Sequence, residues 1–182
     1  MVFSEQGTSA SRMAAAKFLD AISRFDGNDG EESDAMGAYT QSELKGPEVP
    51  KTWVRLPKHQ WPNKWQGKFN DPVVELRLSL YGHPLAGLFW EKHCTKKIMQ
   101  CGFTPIPGWE LLFVHKEKQI FLSVYVDDFK MAGKKENIKP MWKDLMDAGL
   151  DLEPPTPLNG GVYLGCGQAD IEPPSNFIKQ KQ

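Results

Sequence analysis

The chain is poor in cysteine, carries almost no net charge and has no long apolar run, and each shortage removes a class of protein. Its three cysteines, Cys94, Cys101 and Cys166, are odd in number and lack a close paired spacing. That argues against a disulfide framework and a thiol-rich zinc site, and it fits a reducing compartment. Lys plus Arg number 22 against 23 for Asp plus Glu, a formal net charge of −1, so any attraction to a polyanion must come from a local basic surface. No stretch approaches the length that spans a bilayer, and Met1–Gln6 does not lead from a basic segment into an apolar one. The expectation is a soluble intracellular protein, cytoplasmic or nuclear, with no membrane partner.

What is present, 182 residues of which 40% are hydrophobic, suffices for one domain or part of one. Ala14, Ala15, Phe18, Leu19, Ile22 and Phe25 recur at helical spacing between Ser11 and Phe25, with Ser9 or Ser11 as N-cap. The stretch Asp26 to Asp34 reads as an acidic, glycine-containing loop, since Gly30-Glu31-Glu32-Ser33 cannot form a central strand without burying charge. Its glycines do not match a calcium-binding loop, and no glutamate closes one. Trp53–Leu56 and Val73–Leu78 read as strands flanking a surface loop, Pro57 to Pro72, rich in tryptophan, proline and lysine. A helix follows Pro84 and stops at Gly102.

Leu111–His115 and Gln119–Val126 form a hairpin over Lys116-Glu117-Lys118, and Phe129–Ala132 adds a further strand. A helix over Lys135–Ala148 needs Pro140 in or near its first turn. Gly161–Cys166 is a last short strand, and the tail after Ile171 frays. Mixed helices and hairpins define an α+β class with a largely antiparallel sheet.

Asp127 and Asp128 end the apolar run Ile120–Val126. Two unpartnered carboxylates buried at a strand end would cost several kcal/mol. Either the turn is solvated, which is the commoner case, or a cation with oxygen preference meets the pair. Similar alternatives stand elsewhere. Asp34 is one more acid of an acidic loop, Tyr39 a packing residue and Gly82 an ordinary turn, unless a wider pattern joins them. Lys134 and Lys135 read as solvated unless a phosphate meets them. His93, Cys94 and Cys101 share one predicted helix, where packing accounts for them better than zinc.

Four blocks in order supply such a pattern. Tyr125-Val126-Asp127-Asp128 resembles the YVDD box of copia-type retrotransposon reverse transcriptases. Ser79-Leu80-Tyr81-Gly82 with Ala86 and Trp90 is similar to that family's "ALYG...A...W" block. Asp34-Ala35-Met36-Gly37-Ala38-Tyr39 matches its aspartate followed five residues later by an aromatic, and Tyr163-Leu164-Gly165-Cys166 is similar to its "YFLGI" strand. The family's "LKQAPRAW" run stands here as His83 to Trp90, with Leu85 and Leu88 replacing its glutamine and arginine.

The resemblance implies a palm-like α+β domain over residues 11–168, after an N-terminal extension (1–10) and before a flexible tail (169–182), with fingers and thumb incomplete. It implies RNA-directed DNA polymerase activity, with Asp34, Asp127 and Asp128 as catalytic and metal-binding residues for two Mg2+ (or Mn2+) ions about 3.5–4 Å apart. Ala35, Met36, Tyr39 and Gly82 would contact the nucleotide: Ala35 and Met36 through backbone groups, Tyr39 by excluding a 2′-hydroxyl, and Gly82 by close backbone approach. The implied partners are an RNA or DNA template with primer, deoxynucleoside triphosphates, and flanking integrase and RNase H polyprotein domains. A degenerate, non-catalytic relic and a small α+β interaction module are the competing readings. For the chain in isolation, little activity is expected.

Overall fold

The computed structural model describes residues 10–46, 49–158, 162–163 and 165–167. Its elements are α1 (Met13–Ser23), β1 (Asn28–Asp34), β2 (Trp53–Arg55), β3 (Val73–Glu75), α2 (Ala86–Gln100), β4 (Thr104–Pro105), β5 (Leu112–His115), β6 (Ile120–Tyr125), β7 (Asp128–Lys134), α3 (Lys135–Asp147), β8 (Thr156–Pro157), β9 (Val162–Tyr163) and β10 (Cys166–Gly167). Six strands form one antiparallel sheet in the order β4-β5-β6-β7-β1-β8, while β2 pairs with β3 and β9 with β10. The fold is α+β with an antiparallel sheet, as the hairpin patterns imply, and is consistent with a partial palm. Among the described residues no helix is long and apolar enough to cross a membrane.

Alternation along the central strands divides the apolar residues between two layers. Ile120, Leu122, Val124, Phe129 and Met131 join Trp90, Cys94 and Ile98 of α2 and Ile138, Met141, Trp142 and Leu145 of α3 in the main core. Phe121 and Ala132, on the opposite face, meet Ala15, Leu19 and Ile22 of α1. Phe18 adds an edge-to-face contact with Phe121, ring centroids 5.2 Å apart. Cys94 is buried in the main core, where desolvation pushes its thiol far above the usual range, in keeping with packing.

The largest correction concerns β1. The stretch read as a loop is an interior strand, hydrogen-bonded to β7 on one side and β8 on the other. Its charges are met by partners distant in sequence. Glu32 lies opposite Lys130, whose ammonium is wholly buried and sits 2.6 Å from Asp20 of α1. Glu31 feels Lys139 and the Trp142 ring of α3, although its Oε2 and Trp142 Nε1 close no regular hydrogen bond. Asp29 pairs with Lys135 at 3.6 Å, and the Ser33 hydroxyl donates to Glu153 O at 2.7 Å. Burial still raises the carboxyls of Glu31 and Glu32 above their ordinary value. Gly30 lets α1 approach, because a Cβ there would come within 2.9 Å of Ser23 Cβ.

Two smaller expectations are also corrected. Helix α1 is capped by Arg12 without a side-chain hydrogen bond. Ser9 lies outside the described residues, and Ser11 is drawn to the sheet instead, its hydroxyl accepting from Ser123 Oγ at 2.7 Å. Pro140 lies near the first turn of α3, as expected, because the helix starts directly where β7 ends. The last strand is two short strands, β9 and β10, separated by a turn with Gly165 at φ +77°. Residues from 168 onward, including the tail after Ile171, lie outside the described residues.

Candidate active site

The β6–β7 hairpin turns on two residues, Val126 and Asp127, between the paired Tyr125 and Asp128. Val126 adopts φ +57°, an unfavourable conformation for a β-branched side chain that persists only when its surroundings enforce it. Both carbonyls of the turn are held. Trp90 Nε1 of α2 donates to Val126 O at 2.6 Å, and Ala35 N–H, just beyond β1, donates to Asp127 O at 2.8 Å. The tryptophan of one sequence block and the residue after Asp34 in another thus lock the acidic turn.

Register places the carboxylates. Asp34 ends β1 directly opposite Asp128 at the start of β7, and residues opposite one another in an antiparallel pair share a face. Burial, then the negative charges of Asp34 and Asp127, push Asp128 up to about 6. A cavity of about 150 Å³ beside them is lined by Glu32, Ser33, Asp34, Asp128, Glu153 and Thr156, among others. Asp127, on the turn, also raises the Tyr81 hydroxyl, after the larger effect of desolvation.

Tyr39 is half-buried against the main core and meets Tyr81 with ring centroids 4.5 Å apart. Gly82 follows at φ +88°, where only glycine is unstrained, with open space around its missing side chain. The N–H groups of Ala35 and Met36 are both committed inside the chain, to Asp127 O and Asp151 O at 2.8 and 2.9 Å, so any contact of these two residues with a nucleotide falls to other atoms. Lys135 is engaged with Asp29. Among the described residues no three His, Cys, Asp or Glu side chains converge as a ready-made metal cluster. The donors that do meet, Asp34 and Asp128 with Asp127 alongside, are all-oxygen and mutually repelling, the chemistry that suits a hard divalent cation.

Sequence reasoning missed Lys130, Asp20 and Glu32, which form the charged layer under the carboxylate pair. A lysine within the apolar run Phe129-Lys130-Met131-Ala132 was the available signal. Tyr81 was quoted for its block but given no role.

The raised Asp128 has a measurable consequence. Its carboxyl binds a proton more tightly folded than unfolded, so its contribution to stability is present near pH 4 and is lost as pH rises through about 6. Discounted for solvent screening of a half-exposed group, this is about 1 kcal/mol, or about 2–4 °C in Tm. Part of this loss falls between pH 5 and pH 7, so thermal melts should show a Tm about 1–2 °C higher at pH 5 than at pH 7, and Asp128→Asn should flatten that difference. An unchanged difference in the variant would refute the assignment.

A family model described as "Reverse transcriptase (RNA-dependent DNA polymerase)" matches residues 3–172. The chain belongs to this family. Among curated proteins it is similar to the transposon Ty1-DR4 Gag-Pol polyprotein of Saccharomyces cerevisiae, 30% identical over 105 residues, covering 57% of this chain and 6% of that polyprotein. The transposon TyH3 Gag-Pol polyprotein of the same yeast is also 30% identical over 105 residues, covering 57% of this chain and 5% of its own length. The truncated transposon Ty1-A Gag-Pol polyprotein gives 30% over 105 residues, 57% of this chain and 8% of that polyprotein. The chain thus spans under a tenth of the length of these relatives, and it is a copia-type reverse transcriptase segment. No solved structure matches it.

Proposed function

We propose that the chain contributes the nucleotidyl-transfer centre of a copia-type reverse transcriptase, extending a primer on an RNA or DNA template. The observation that carries this reading is the β1–β7 register, which sets Asp34 opposite Asp128 with Asp127 on the adjoining turn. Asp34, Asp127 and Asp128 would hold Mg2+ or Mn2+; when bound, such ions supply Lewis-acid activation of the primer 3′-hydroxyl and neutralise the triphosphate. The chain's own residues then position the reactants. The Trp90 and Ala35 hydrogen bonds fix the turn that presents Asp127. The Tyr39 ring, backed by Tyr81, forms a wall against which a deoxyribose fits and a 2′-hydroxyl collides. Gly82 leaves room for the sugar and base to approach the backbone.

The primer–template and deoxynucleoside triphosphates follow as partners, and so do flanking polyprotein segments in the parent element, acting in the cytoplasm or nucleus. A second reading, a non-catalytic palm core, draws support from the committed N–H groups of Ala35 and Met36. The discriminating measurement is Mg2+-dependent incorporation of deoxythymidine on an oligo(dT)-primed poly(rA) template, by the chain alone and with flanking segments supplied. Extension in either case supports catalysis; none in both leaves the palm core as the reading that holds.

A further inference from the structure

A locally basic surface lies on the β2–β3 hairpin and its long connection. From Lys51 to Glu75 the cations are Lys51, Arg55, Lys58, Lys64 and Lys68, and the only acids are Asp71 and Glu75. Both acids are neutralised at the strands, Glu75 by Lys51 at 3.2 Å and Asp71 by Arg55 at 2.7 Å. Lys58, Lys64 and Lys68 are exposed and have no carboxylate partner among the described residues. In a chain of net charge −1, this is a local concentration of unpaired positive charge.

The same segment repeats an aromatic every fourth residue, Trp61, Trp65 and Phe69, with a lysine immediately before the last two. Short 3-10 turns at Lys58–Gln60 and Asn63–Trp65 wind the connection. Trp61 is fastened to the hairpin, its Nε1 donating to Leu56 O at 2.9 Å. Trp65 and Phe69 pair edge to face at 6.1 Å, and Phe69 and Trp53 are more than half exposed. Aromatic faces left in water between lysines lose apolar burial with no gain to the fold, and they match the stacking and phosphate contacts by which single strands are held without regard to sequence.

The root of the arm leads to the candidate active site. Thr52 Oγ1 lies 3.1 Å from His83 Nε2, next to Tyr81 and Gly82. Resting on the polymerase reading for the class of partner, we infer that residues 53–69 form a single-strand-binding arm that grips unpaired template, bases stacking on Trp53, Trp65 and Phe69 and phosphates meeting Lys58, Lys64 and Lys68.

The test is fluorescence anisotropy of the full chain with labelled oligo(dT) and oligo(rU) of about 15 nucleotides, over a range of salt. Wild type should bind both. Replacing Lys58, Lys64 and Lys68 together by Ala should weaken binding about tenfold and lower the slope of log affinity against log salt by about 2. Trp65→Ala with Phe69→Ala should weaken binding about tenfold and leave the slope unchanged. The three lysines and Phe69 are exposed, and the half-buried Trp65 packs on Phe69, so the melting temperature should hold. Wild type that fails to bind, variants that bind like wild type, or duplex DNA competing as well as single strands would each overturn the arm. If primer extension fails while arm-dependent binding persists, the arm stands and only the polymerase reading falls.

Discussion

Asp34→Asn and Asp127→Asn are each expected to lower Mg2+-dependent primer extension by about a thousandfold or more while leaving the fold intact. On the proposed metal-binding role, each replacement removes a charge that the cation would need, a loss of several kcal/mol in transition-state stabilisation. The structural cost is small. Asp34 is exposed and Asp127 only half-buried, and the hydrogen bond that holds the turn uses the Asp127 carbonyl, which asparagine keeps. Relief of repulsion on Asp128 should leave Tm unchanged or slightly higher. Millimolar Mg2+ should raise the Tm of wild type at pH 7 and not that of either variant. Extension above a tenth of wild type in either variant would remove that residue from the catalytic set.

Gly133→Ala is expected to be the most damaging single methyl in the sheet. Gly133 sits at φ +146° in β7, opposite Ile120. An added Cβ would overlap the Gln119 carbonyl oxygen and lie 2.7 Å from Ile120 Cα. Both obstacles are backbone, so relief requires β6 and β7 to part where Lys134 N–H also bonds Gln119 O. Strain and overpacking together should cost about 3–5 kcal/mol, a large part of the ~5–15 kcal/mol that holds an ordinary domain folded. Tm should fall by about 10 °C. At Gly30, by contrast, the closest obstacle is a methyl of Leu158, the end of a flexible side chain, and the loss should be smaller. A melt of Gly133→Ala within a degree of wild type would refute the argument.

The hairpins were legible because their burial is apolar and alternates with period two, as in Ile120, Leu122 and Val124. Strand β1 was not, because it is stabilised by charge partners. Nothing near Glu31 or Glu32 in the chain announces that Lys130, Lys139 and Trp142 will meet them, and tertiary context overrides local propensity there. For the site, the acidic turn could be read directly from Tyr125 to Asp128. The register that brings Asp34 opposite Asp128 depends on that illegible strand. The commitment of the Ala35 and Met36 N–H groups was hidden as well, since it depends on Asp127 and Asp151. Its tryptophan, proline and lysine content marked the segment from Pro57 to Pro72 as surface, and its residues are almost all exposed.

Strand β1 is flanked on both edges by strands made much later, β7 ending at Lys134 and β8 at Pro157. In a chain synthesised from its N-terminus, the first carboxylate therefore waits without a neighbour while residues 35 to 127 are added. Only the arrival of the β6–β7 hairpin, which can close on itself, gives it one. Assembly of the acidic centre is thus a late event in the life of a nascent chain, and a ribosome that stops short of residue 128 releases a product with no such centre.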